Sequence, residues 1–153
     1  MYWRRRLTRL EAAISAALVA VFLAVFLERT LYYLELAERT VMVLTVNNVN
    51  SALNVRRAYG ALKGQATDDS LRNPFGLARM SPANFLGEVD SPNLAALERG
   101  QWVFDRTRGE LIYLPRLRRG LETADPDGAI RYRLELRGGE VSMLVPTSKY
   151  AWN

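Results

Sequence analysis

The sequence predicts an α+β chain in which one long N-terminal helix packs on a four-stranded antiparallel sheet. Three observations predict it. Residues 12–27 form a run without a single charge. Apolar residues then recur at steps of three and four, and no proline appears before Pro74. Short alternating segments bounded by turn residues fill the C-terminal part. The chain divides accordingly into a basic segment (1–6), a transmembrane half-helix (7–27), an exported amphipathic half-helix (28–64) and a loop-and-sheet domain (65–153).

The N-terminal run reads AAISAALVAVFLAVFL. Extended back to Leu7 it covers about 31 Å of helix, close to the roughly 30 Å hydrocarbon core of a bilayer. Arg4, Arg5, Arg6 and Arg9 precede it. Basic flanks stay cytoplasmic, so the C-terminal domain is expected on the far side of the membrane. A cleaved signal would show small residues after the apolar run. The chain there gives Glu-Arg-Thr-Leu-Tyr-Tyr, which predicts a retained anchor. Glu11 stands at the mouth of the run, where a carboxylate is costly. It reads either as a headgroup-level partner of Arg9 or as a buried pairing group for a neighbouring subunit.

The second half-helix carries Leu34, Ala37, Val41, Leu44, Ala52, Val55, Tyr59 and Leu62 on one stripe, broken by Asn48. This stripe is expected to pack on the downstream domain. Glu35, Glu38, Arg39, Asn50 and Arg57 fall on the opposite face. The β-branched run at residues 41–46 suits a strand in isolation, but its flanks argue for helix. Lys63-Gly64 fits a helix C-terminus.

Downstream, residues 65–100 read as irregular, with one short helix at 91–98 capped by Ser91 with Pro92 in its first turn. Residues 101–105 and 110–115 form a predicted hairpin across Arg-Thr-Arg-Gly. Residues 129–137 alternate Ile130, Tyr132, Leu134 and Leu136 with charged residues, predicting a strand with one wet face. Gly138-Gly139 turns the chain into a return strand at 141–145.

Composition narrows the function. A chain of 153 residues holds one domain and an anchor. It has no cysteine, which excludes disulfides, thiolate metal sites and thiol nucleophiles. It has no histidine, which removes the commonest metal ligand and general base. No enzyme activity, metal or cofactor is predicted. The net charge of +5 comes almost wholly from arginine. Arg116, Arg118 and Arg119 form a second basic group, read as a solvated turn with a nucleic-acid or acidic-partner patch as the minor alternative.

Two stretches carry a family resemblance. Arg6-Leu7-Thr8-Arg9-Leu10-Glu11 and the apolar run look like a class III signal, in which a Gly precedes an apolar residue, Thr, two apolar residues and a Glu. Asn73-Pro74 through Gly87-Glu88, then Gly100-Gln101-Trp102-Val103-Phe104-Asp105 and Gly109-Glu110-Leu111-Ile112-Tyr113, look like the G-x-W-x-F-D and G-x-L-x-Y hairpin of minor pilin-like proteins. Together they cover most of the chain, which resembles the type IV pilins and type II secretion pseudopilins. The resemblance implies a pilin-like fold. It also implies a structural role in a filament, packing with other pilin-like subunits through N-terminal helices, and contact with an inner-membrane assembly platform. It places Arg6, Leu7 and Thr8 in the signal region and Glu11 and Arg9 in subunit assembly. The implied location is the bacterial inner membrane, N-terminus cytoplasmic and domain periplasmic, and the filament itself. Arg6 stands where the family's peptidase needs Gly, and Arg9 replaces an apolar residue, so cleavage stays open. These departures point to a minor subunit. The alternative is an uncleaved bitopic envelope protein whose periplasmic domain scaffolds a secretion or pilus machine.

Three further groups have competing readings. Asp125-Pro126-Asp127-Gly128 is a tight turn, with calcium binding at Asp125 and Asp127 as the alternative. Trp102, Phe104, Tyr113 and Tyr132 are core residues, with an exposed ligand platform as the minor alternative. Tyr150-Ala151-Trp152-Asn153 either packs back on the domain or contacts a partner.

Overall fold

The computed structural model describes residues 8–63, 73–137 and 140–153. Arg6, Leu7, Gly64 and the Gly138-Gly139 turn lie outside them, as does the Leu62 side chain. The architecture is α+β, with one long N-terminal helix and a mixed sheet.

Helix α1 runs Arg9–Lys63 without a break, 55 residues and about 82 Å. Residues 41–46 are helical despite their β-branched composition. The Thr45 hydroxyl is satisfied within the helix, donating to the Val41 carbonyl at 2.8 Å, and Thr30 and Thr40 do the same to Phe26 and Leu36. Among the described residues α1 is the one helix long and apolar enough to cross a membrane.

The domain opens with the single turn α2 (Pro74–Leu77), capped by Asn73, whose side chain accepts from Phe75 N–H. Strands β1 (Phe85–Val89), β2 (Gln101–Asp105), β3 (Glu110–Leu114), β5 (Ile130–Arg137) and β6 (Glu140–Pro146) form a five-stranded sheet in the order β1-β2-β3-β5-β6. β4 (Leu121–Thr123) and β7 (Tyr150–Trp152) make a separate antiparallel pair. The predicted hairpin is present in register, Trp102 opposite Tyr113 and Phe104 opposite Leu111.

The expected four-stranded antiparallel sheet is the first correction. An extra edge strand, β1, runs parallel to β2. A parallel pair requires a crossover, and residues 90–100 supply it. That crossover is where a short helix at 91–98 was expected. It holds only a 3₁₀ turn, Leu94–Ala96, capped by Asn93 rather than Ser91. Ser91 instead takes φ +49°, and Leu97 leaves the turn extended. Leu94 and Leu97 then pack against Val103, Ile112, Leu114 and Ala129. The far face of the sheet's centre is therefore covered, which explains why β3 is buried at every position.

On the near face lies the main core: Trp102, Phe104, Leu111, Tyr113, Ile130, Tyr132 and Leu134, closed by Phe75 and by α1. Trp102, Phe104, Tyr113 and Tyr132 are all buried, as the sequence predicts. Trp152 joins this core, which places the C-terminal aromatics back on the domain.

The helix face that docks is the second correction. The predicted stripe lies outward: Leu34, Val41, Leu44, Val55 and Tyr59 are 53–65% exposed. Met42, Val49 and Leu53 are instead at most 1% exposed, with Glu35 also buried. The docking face sits one residue further along, a rotation of about 100°. Its N-terminal end binds loops through carboxylates, so apolarity alone does not mark it.

Candidate functional site

Two assembly residues, Arg9 and Glu11, and one residue of the signal region, Thr8, fall among the described residues of the N-terminus. Thr8 caps α1, its carbonyl accepting from Ala12 N–H at 3.0 Å. Glu11 Oε2 accepts from Thr8 N–H at 2.8 Å, and Thr8 Oγ1 accepts from Glu11 N–H at 3.3 Å. This is a capping box, two helix-end donors satisfied reciprocally. Thr8 and Glu11 are thus brought together, and Arg9 lies exposed on the same turn. The Thr-x-x-Glu spacing that signals such a box is plain in the sequence, where Glu11 was read only as a pairing charge.

Beyond this cap, residues 12–27 are exposed throughout. Tyr32 and Tyr33 follow, both exposed, with their rings edge to face at 5.6 Å.

The seam between α1 and the domain is built from residues that sequence reasoning placed on the wrong side. Glu38 Oε1 accepts from the Tyr113 hydroxyl at 2.9 Å and from Arg116 N–H at 2.6 Å, and its Oε2 accepts from Leu117 N–H at 3.0 Å. Glu35 Oε1 accepts from Gly120 N–H and from Trp152 Nε1, both at 2.9 Å. The loop after β3 has no regular partners for these amides, so two helix carboxylates complete it. Gly120 is required there, since a Cβ would meet the Asn153 carbonyl oxygen at 2.2 Å.

Higher on α1, Tyr132 donates to Met42 Sδ at 3.2 Å while Tyr150 donates to Tyr132 at 2.7 Å. Asn50 accepts from Leu144 N–H at 2.7 Å and donates to the Leu144 carbonyl at 3.4 Å. Its side-chain amide thus takes the place of a neighbouring strand at the β6 edge.

Two tyrosines titrate abnormally as a result. Burial first, then the hydrogen bond and charge of Glu38, push the Tyr113 phenol well above its ordinary value, against an opposing pull from Arg116. Burial and the Tyr150 hydroxyl push Tyr132 up as well.

The Asp125–Gly128 turn is a turn in the structure, closed by Gly128 N–H to the Asp125 carbonyl at 3.0 Å, with Gly128 at φ +67°. Its carboxylates face a cation already. Arg131 Nε donates to Asp125, and the guanidinium lies 3.5 Å from Asp127 and 3.7 Å from Glu110. Burial lowers the Arg131 pKa, but Asp125, Glu110 and Asp127 outweigh it and hold the guanidinium charged. Among the described residues no group of three metal-ligating side chains converges.

Arg116, Arg118 and Arg119 are exposed on the loop pinned by Glu35 and Glu38. Arg99 joins them, donating to the Pro115 carbonyl at 3.5 Å. The molecule's arrangement is therefore one of surfaces on a rod: a capped N-terminus, a bare apolar span, an outward apolar stripe and a basic loop. No protein-family model, curated protein sequence or solved structure matches the chain.

Proposed function

We propose that the chain is a minor pilin-like or pseudopilin-like structural subunit that joins a type IV pilus or type II secretion filament, and that it is not an enzyme. The single observation that carries this reading is the unbroken α1, apolar and exposed over residues 12–27 and carrying its domain on one face only. On another face Leu27, Leu34, Val41 and Val55 keep a seven-residue spacing, with Asn48 at the remaining position, and all are exposed. A seam of that period suits packing against other helices, and one polar residue within it fixes register. In this reading α1 crosses the inner membrane with its N-terminus in the cytoplasm and the domain in the periplasm. Its partners are other pilin-like subunits and an inner-membrane assembly platform.

Glu11 supplies the test. Gln in its place preserves a capping box but removes the charge, whereas Ala removes both. If Glu11 pairs with another subunit's cation, Glu11→Gln and Glu11→Ala both abolish co-purification with pilin-like subunits. Recovery by Glu11→Gln alone reduces Glu11 to a cap. No association in the unaltered chain ends the filament reading.

Arg6, in the position of the family's Gly, supports a second reading: an uncleaved bitopic protein whose domain scaffolds the machine. Mass spectrometry of the N-terminus decides between cleaved and intact forms. Recovery of the protein in sheared filaments excludes the scaffold.

A further inference from the structure

We propose that Arg99, Arg116, Arg118 and Arg119 form a docking patch for the anionic phospholipid headgroups of the leaflet from which α1 emerges. The inference rests on the reading of α1 as a membrane-crossing helix and adds a lipid partner to it.

Position along the rod carries the argument. The lowest hydrogen bonds between α1 and the domain are those of Glu35 and Glu38, and both hold the loop bearing the arginines, while Tyr32 just below shares a cleft with Trp152 and Asn153. The next contacts, at Met42, Asn50 and Leu53, belong to the sheet and lie higher. The basic loop is therefore the domain's membrane-facing end. Glu35 follows the last residue of the uncharged run, Leu27, by eight residues, about 12 Å of helix. The headgroup layer takes up about 5–8 Å of that distance. The remaining gap, about 4–7 Å, is shorter than the roughly 8 Å Debye length at physiological salt. A tilt of about 20°, ordinary for a membrane helix, closes it on the side where the domain overhangs. Tyr32 and Tyr33, exposed between the span and the loop, are the residue type that settles at headgroup level.

Charge and exposure fit the same partner. All four arginines are exposed. Arg116 lies over Gly100, where a Cβ would meet its Nε at 3.2 Å, so it stays beside Arg99. Among the described residues none of the four makes an ion pair, in contrast to Arg106, Arg131 and Arg133. Of the acids around them, Glu98 and Glu122 are exposed nearest in sequence, Glu35 and Glu38 are engaged by loop amides, the Tyr113 hydroxyl and the Trp152 indole, and Asp127, whose carbonyl accepts from Arg118 at 3.4 Å, has its carboxylate beside Arg131. Each arginine brought to an anionic surface shifts the ratio of docked to undocked domain about fivefold.

The test uses the full chain, which has no cysteine of its own. Asn153→Cys, beside Gly120, carries a donor fluorophore. The chain is reconstituted into vesicles containing an acceptor-labelled lipid, made of phosphatidylcholine alone or with phosphatidylglycerol. Energy transfer is expected to rise with phosphatidylglycerol and to fall back at 1 M salt, where the Debye length shrinks to about 3 Å. The triple variant R116Q/R118Q/R119Q retains the backbone amides that Glu38 and Glu35 bind, and it is expected to lose the rise by shifting the ratio about a hundredfold. Equal transfer in both lipids, or a rise that survives the triple substitution, overturns the proposal. Displacement of the phosphatidylglycerol effect by a DNA oligonucleotide that binds in a salt-dependent way reassigns the patch to nucleic acid and overturns it too. A chain that washes off the vesicles at alkaline pH overturns the transmembrane reading itself, an outcome distinct from a retained chain with unchanged transfer.

Discussion

The two long faces of α1 above residue 34 use the same helix for opposite purposes. The inward face ends in Met42, Val49 and Leu53, fully covered by the sheet, and begins in Glu35 and Glu38, which complete a loop. The outward face is richer in large apolar groups and stays mostly exposed, meeting its own domain only where Ala52, Val55 and Tyr59 face Leu77 and Ala78 across a cleft. Hydrophobicity on a helix therefore does not tell which side its own domain takes. Here the domain took the side with acceptors, because the loop at residues 115–120 has amides to satisfy and no strand to satisfy them.

The contrast can be broken most severely at the core. Leu53→Ala is expected to lower domain stability by about 2–5 kcal/mol, while Val55→Ala, two residues on and exposed, stays within about 0.5 kcal/mol. Denaturant melts of the two variants check it; equal losses would mean that the docking face is misassigned. Next comes the carboxylate end. Glu38→Ala removes three hydrogen bonds to a charged acceptor and is expected to cost about 2–3 kcal/mol, read by the same melts. Glu38→Gln should recover only part of this, since one of its two terminal atoms no longer accepts.

The tyrosines sharpen the comparison through pH. Tyr113 and Tyr132 keep their protons in the folded state above the ordinary value near 10, whereas the unfolded chain releases them there. The folded state then binds more protons, so stability is level below about pH 10 and falls as pH rises beyond it. Melting temperatures measured between about pH 9 and 12 should show that fall, and Tyr132→Phe should lessen it while Tyr113 keeps its share. The smallest effect is at the sheet edge. Asn50→Ala frees the Leu144 amide and carbonyl and is expected to cost about 1–2 kcal/mol, with faster amide exchange at Leu144 than elsewhere in β6.

How far the sequence could be read follows from the same physics. Periodicity over many residues identified α1 and carried it through the β-branched segment at 41–46. Alternation and turn residues gave the β2–β3 hairpin and β5. What escaped were elements with little pattern of their own. β4 and β7 are three residues each, and β1 carries a bulge at Gly87, φ +105°. Ser91 looked like a helix cap by type, but its positive φ lies in the geometry of the crossover and not in its neighbours' identities. The rotation of the docking face had one visible sign: Asn48 broke the apparent stripe where Val49 continued the real one. At the N-terminus, Thr8 and Glu11 spell a cap, and the charge of Glu11 at the mouth of an apolar run suits a pairing role equally well.

Because α1 has no proline and runs unbroken from the apolar run into the domain, axial position and heading are not independent. Advancing the rod by one residue through a surrounding surface lifts the domain about 1.5 Å and swings it about 100°. The domain therefore behaves like the head of a screw, and a one-residue insertion or deletion within residues 28–34 changes which neighbour it confronts more than it changes how high it stands.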